Sequence, residues 1–227
     1  MRIALAAVGG LLAGGLLNLV IDGFIAPGGG PREPDGEARE APVSGLRSSA
    51  RIRYALVLLA SAALAVAVVL VRHGANQVAL GLGLAAVLVP VTVIDLHRRI
   101  IPNRITAPAA LAAVVIGVAT RPAGIATQLI AGIAAGAVLL LCALAYRGGL
   151  GLGDVKLGGV MGLFLGSSVA VALVAGVLAG GLAGIGVIAR LGVRQGRRTS
   201  MPYGPFLAIG GVVGILAGPS LVHWDVH

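Results

Sequence analysis

Seven apolar stretches occupy most of this chain: Ile3 to Phe24, Tyr54 to Val71, Val78 to Ile94, Ile105 to Ala119, Ile125 to Tyr146, Val155 to Ala189 and Tyr203 to Val222. About twenty such residues in helical conformation cross the roughly 30 Å of bilayer hydrocarbon. The expected fold is therefore all-α, a polytopic transmembrane helical bundle. Of the 227 residues 58% are hydrophobic and only 11% charged, and mean hydropathy is +1.02, which excludes a soluble domain of this size. A cleavable signal segment is the alternative for the first stretch, but the stretch is long for one and only Arg2 precedes it, which favours a retained helix.

The run from Val155 to Ala189 is too long for one crossing. At about 1.5 Å per residue it would make a helix of roughly 52 Å. Gly166-Ser167-Ser168, near its middle, is where a hairpin would turn, giving about eight helices. The basic residues test that count. With the N-terminus outside, an eight-helix layout gathers the lysine and almost all the arginines in cytoplasmic loops, leaving only Arg2, Arg72 and Arg121 across the membrane. A single helix would carry the Arg190 to Arg198 cluster to the wrong side. The net charge of +9 thus reports topology rather than nucleic-acid binding, because its residues sit in short loops between spans.

The expected organisation is a first transmembrane helix over 1–26, a flexible cytoplasmic loop over 27–52 and a transmembrane core over 53–227. The loop is rich in Gly, Pro, Arg and Glu, with Glu33, Asp35, Glu37 and Glu40 balancing several arginines. Cys142 is the only cysteine, so one chain can build neither a disulfide nor a cysteine-ligated zinc site.

Eight acidic residues are present, and beyond the loop they are Asp22, Asp95, Asp154 and Asp225. A carboxylate beside hydrocarbon is costly and marks a functional site by default. Asp95 ends the third apolar span and Asp154 begins the sixth. Two complete crossings separate them, so both lie at the same membrane face. A pair placed in this way can share a proton, one acid and one base, and activate water for attack on a peptide carbonyl. The competing assignment is interfacial ion pairing, with Arg98 and Arg99 near Asp95 and Lys156 two residues after Asp154. Asn18 suits a hydrogen bond between helices, Asp22 suits a loop arginine, and His97 suits the interface.

Local sequence adds weight to the pair. Asp95-Leu96-His97-Arg98-Arg99-Ile100-Ile101-Pro102-Asn103 and Gly151-Leu152-Gly153-Asp154-Val155-Lys156-Leu157 resemble the two signature motifs of the type IV prepilin peptidases, and the second is also a GxGD motif of intramembrane aspartic proteases. Gly14-Gly15-Leu16-Leu17-Asn18-Leu19-Val20-Ile21 looks like that family's first helix, with its G-S-F-L-N-V-V-I pattern. Arg53-Tyr54 is similar to its entry to the second helix, and Met201-Pro202-Tyr203-Gly204-Pro205-Phe206-Leu207-Ala208 to its late P-F-G-P-F-L-A motif. The resemblance implies Asp95 and Asp154 as catalytic residues, with Gly151, Gly153, Lys156, Pro102 and Asn103 as substrate-binding or supporting residues.

It further implies an inner-membrane, multi-pass endopeptidase with its site facing the cytoplasm. Its substrates would be prepilin or pseudopilin precursors, met within the lipid bilayer and without nucleic acid. Two departures stand out. Many members carry a cysteine-rich zinc domain between the first two helices, and the cysteine-free loop replaces it here, so no metal is expected. That domain accompanies a second, N-methylating activity, so S-adenosylmethionine enters only if such activity is retained, and no other cofactor is implied. A glutamate expected early in the second helix is also absent from Tyr54-Ala55-Leu56-Val57-Leu58-Leu59. The rival from another class is an ion-coupled transporter or inactive assembly protein using the same two carboxylates. The paired halves typical of transporters are not seen in the sequence.

Overall fold

The computed structural model describes residues 1–25, 43–145, 150–192 and 202–221. Among them are eight α-helices and no strand: α1 (Arg2–Ile25), α2 (Val43–Val71), α3 (Ala75–Arg98), α4 (Asn103–Thr120), α5 (Ile125–Ala145), α6 (Leu152–Leu165), α7 (Val169–Leu191) and α8 (Gly204–Leu221). By length and hydropathy six described segments suit a membrane crossing, with 152–190 taken as one and α8 somewhat shorter. The chain is thus a polytopic helical bundle. The start of α2 at Val43 lies inside the segment expected as loop, where Leu46 to Arg51 contains no proline or glycine to interrupt a helix. Residues 27–42 of that segment lie outside the described residues.

Glycines set how closely the helices approach. On α1, Gly10, Gly14, Asn18 and Ile21 are buried on one face against antiparallel α2. A Cβ at Gly10 would lie 2.6 Å from Ala62 Cα, and one at Gly14 would lie 3.0 Å from Leu58 Cα. Asn18, 1% exposed, fixes the register by donating from Nδ2 to the Gly14 carbonyl at 3.1 Å and the Tyr54 carbonyl at 3.4 Å. Asp22 closes the same seam through an ion pair with Arg53. Gly10→Val should therefore force α1 off α2 at a cost of about 1–3 kcal/mol, the usual range for overpacking. A lower midpoint for heat-induced loss of helicity in detergent would report it. Gly15→Val, at a position with nothing within 4 Å, should leave that midpoint unmoved.

Helix α3 is the most buried spanning helix and contacts α1, α2, α4, α6 and α8. Leu84, Leu88 and Val91 fill the centre of the bundle with Leu157, Met161, Leu207 and Ile215 from α6 and α8. The long apolar run divides at Gly166, whose φ of 56° and ψ of −135° suit glycine, followed by a 3-10 turn over Gly166–Ser168. Two sets of neighbours show that the chain reverses here. Along α6, Asp154 lies at the Tyr203–Gly204 end of α8 and Leu165 lies against Gly214. Along α7 the order is opposite, with Ser168 against Gly218 and Gly180 against Tyr203. α6 and α7 therefore run antiparallel to each other along α8, as the expected hairpin requires.

Candidate active site

Helix α3 must stop after Asp95 because Pro102 disfavours a helical Ile101. It stops at Arg99, in the left-handed region with φ 54° and ψ 37°, whose N–H donates to the Asp95 carbonyl at 2.8 Å. Pro102 is then the N-cap of α4, accepting the Ile105 and Thr106 N–H groups at 3.0 and 3.3 Å. This tight corner leaves the Asp95 side chain on the inner face of the bundle, 5% exposed. Its Oδ2 accepts the Gly204 N–H at 2.9 Å, across 109 residues of sequence. Gly204 opens α8, so the positive end of that helix faces the carboxylate.

Asp154 is held in an analogous way by its own helix. Gly151 is the N-cap of α6, and Asp154, three residues on, reaches back to accept the Gly151 N–H on Oδ2 at 3.0 Å. Its side chain is 8% exposed. Gly153 packs so tightly on the corner after α3 that a Cβ there would lie 3.0 Å from Ile101 Cβ. That contact brings the two motifs together, and the two carboxylates lie within electrostatic reach of each other. Lys156 makes the second link, donating from Nζ to Asn103 Oδ1 at 2.9 Å.

Each aspartate is thus anchored through one oxygen at a helix N-terminus. Among the described residues neither Oδ1 carries a hydrogen bond, and neither carboxylate makes an ion pair. Among the described residues the interfacial pairing considered from sequence is not formed at these acids, and Asp22 is the acid that meets an arginine. All seven residues singled out from the motifs sit at one end of the bundle: Asp95, Asp154, Gly151, Gly153, Lys156, Pro102 and Asn103. His97 is exposed and its Nδ1 lies 2.8 Å from the Val93 carbonyl, within its own helix.

Two further residues belong to this end and were not singled out: Gly204, through its N–H, and Tyr203. The Tyr203 ring tilts against Phe206 with centroids 6.2 Å apart. Gly204 and Tyr203 both lie in the 201–208 motif, where only Pro202 and Pro205 draw notice as residue types.

A groove of about 690 Å³ runs between α2, α3 and α8 to this same end. Its walls are apolar, from Leu56, Leu64, Val89 and Val212. Leu96 and His97, next to Asp95, and Pro205, next to Gly204, line it as well.

The model of the type IV leader peptidase family matches residues 82–185, which include both aspartates. The chain is 30% identical to a prepilin leader peptidase/N-methyltransferase of Aeromonas hydrophila, over 82% of this chain and 63% of that protein. It is 32% identical to one of Burkholderia pseudomallei strain 1026b, over 73% and 55%, and 34% identical to one of Bacillus subtilis strain 168, over 62% and 56%. The chain therefore spans somewhat over half the length of these relatives. No solved structure matches it significantly. Residues 82–185, where the Asp95 and Asp154 motifs fold against each other, thus match the type IV leader peptidase family.

Proposed function

We propose that this chain is a membrane-embedded aspartic endopeptidase that removes the leader from type IV prepilin-like precursors at the cytoplasmic face of the inner membrane. The observation that carries it is the convergence of Asp95 and Asp154 at one end of the bundle, each fixed by a helix N-terminus and each with a second oxygen unengaged. Two close carboxylates hold one proton between them. The ionised one takes a proton from a water molecule as its oxygen attacks the scissile carbonyl, and the protonated one donates to the amide nitrogen as the C–N bond breaks. The shared proton is then restored with the roles exchanged. Arg53, Arg98, Arg99, Arg104, Lys156 and Arg190 gather at the aspartate end, while Arg2, Arg72 and Arg121 lie at the other, which supports a cytoplasmic orientation for the site. Methyl transfer, the second activity in the relatives' names, stays outside this assignment because segment 27–52 lacks cysteine.

The substrate in this assignment is a precursor with a basic leader followed by an apolar helix. The α2/α3/α8 groove supports it: an apolar helix lying there would bring its first residues to Asp95. Coexpression with candidate prepilins should give the gel shift of leader removal. Ala60→Phe, at an exposed position lining the groove, should slow processing of a full-length precursor at least tenfold. A short water-soluble peptide spanning the cut should be cleaved at nearly the unmodified rate. Equal slowing of both substrates would show that the groove does not seat the precursor helix.

A further inference from the structure

On the far side of α6 from the α2/α3/α8 groove, a second groove of about 570 Å³ opens between α4, α5 and α6. Its floor and walls are apolar and small, from Ala107, Ala110, Gly132 and Gly159, with Ile133 and Leu163 toward its far part. Lys156 and Asn103 close one end of it. Counting seven residues from Lys156 to Leu163 along α6, the groove runs about 10 Å from the ammonium toward the membrane interior.

The two ends ask for different chemistry. An ammonium carries three N–H donors, and Lys156 places one of them on Asn103 Oδ1. Among the described residues no carboxylate pairs with it, and its side chain is exposed at the aspartate end of the bundle. Apart from the Thr106 hydroxyl, the residues beneath provide contact for a hydrocarbon chain rather than a polar one. A single cation above an apolar channel at the edge of a membrane helix bundle matches an amphiphile with an anionic head.

We propose that the α4/α5/α6 groove is a binding site for an anionic phospholipid, its phosphate on the Lys156 ammonium and one acyl chain along Ala107, Ala110 and Gly159. A zwitterionic lipid carries its own cation beside the phosphate and so gains less from Lys156. The proposal does not rest on the peptidase assignment. Should that assignment also stand, lipid would be held two residues from Asp154, on the link that joins the two aspartate motifs.

The test reads binding rather than cleavage, so its outcome is independent of activity. The purified full-length chain in detergent is titrated with phosphatidylglycerol or with phosphatidylcholine of the same acyl chains, and bound lipid is counted by native mass spectrometry. Phosphatidylglycerol should bind about fivefold more tightly, the factor that one cation near an anionic lipid contributes. K156Q should erase that preference and K156R should keep it. A107F, which adds bulk at an exposed groove position, should weaken both lipids without altering the helical circular dichroism. Equal binding of the two lipids by the unmodified chain, a preference that survives K156Q, or unchanged binding by A107F would each overturn the proposal.

Discussion

On the proposed function, Asp95→Asn and Asp154→Asn should each yield a folded, membrane-inserted protein without leader-removing activity, with initial rates down by at least about a thousandfold. The two aspartates do separable things. Each Oδ2 accepts a backbone N–H, from Gly204 at 2.9 Å and from Gly151 at 3.0 Å, and those bonds tie α8 to α3 and close the first turn of α6. An asparagine oxygen can accept the same N–H groups, so the substitution preserves most of the structural role. It cannot take up or release a proton. A positioned acid or base contributes typically 10²- to 10⁴-fold, and these two side chains would exchange one proton within a single cycle. Removing either should therefore disable both, and the double variant should be scarcely slower than either single one, since groups acting as a unit are not additive. Initial rates of leader removal, with helicity and elution volume checked alongside, measure this. Cleavage within tenfold of the unmodified rate in either single variant would rule out the dyad, and an ion-coupled or assembly role for the carboxylates would then fit better.

Much of this architecture was legible because a membrane leaves few choices. Apolar runs of spanning length are helices, and counting crossings between Asp95 and Asp154 places them at one face without knowledge of packing. The reversal at Gly166 was visible for the same reason, as the run was too long and had a Gly-Ser-Ser break in it. Asn18 bonds across to α2 as its burial in an apolar helix demanded. What stayed hidden were partners supplied by backbone. The group that holds Asp95 is the N–H of Gly204, and an N–H is present at every residue except proline, so no residue type advertises it. The Lys156–Asn103 link joins two side chains already under suspicion, but the sequence alone did not pair them across 53 positions. Arg98 and Arg99, one turn away, suggest ion pairing at Asp95 from sequence alone. The left-handed cap at Arg99 redirects the chain at that point, and the carboxylate turns inward to α8.

Gly204 gives the second large effect expected, and it lies outside the segment matched by the family model. Its N–H is the only described hydrogen bond to the Asp95 carboxylate, and the approach is so close that a Cβ would lie 2.7 Å from Oδ2 and 2.9 Å from Cγ. Gly204→Ala therefore cannot keep both the new methyl group and the present carboxylate position. The rest of α8 is fixed by further tight contacts, Gly211 against Leu88 at 2.7 Å and Gly214 against Ala172 at 2.8 Å for a Cβ in each place, so the helix has little freedom to retreat. Asp95 is the lighter element and should rotate, losing its N–H partner and its alignment with Asp154. Catalysis is sensitive to displacements of about 1 Å, which can cost about a hundredfold, so leader removal by Gly204→Ala should fall by that factor or more. Alanine suits a helix at least as well as glycine, and stability should change far less than activity. Gly181→Ala, at a position with nothing within 4 Å, is the matched control and should process precursor at the unmodified rate. If Gly204→Ala were as active as that control, the bond from α8 would not be what sets the catalytic carboxylate, and Asp95 would have to be positioned by the α3 corner alone.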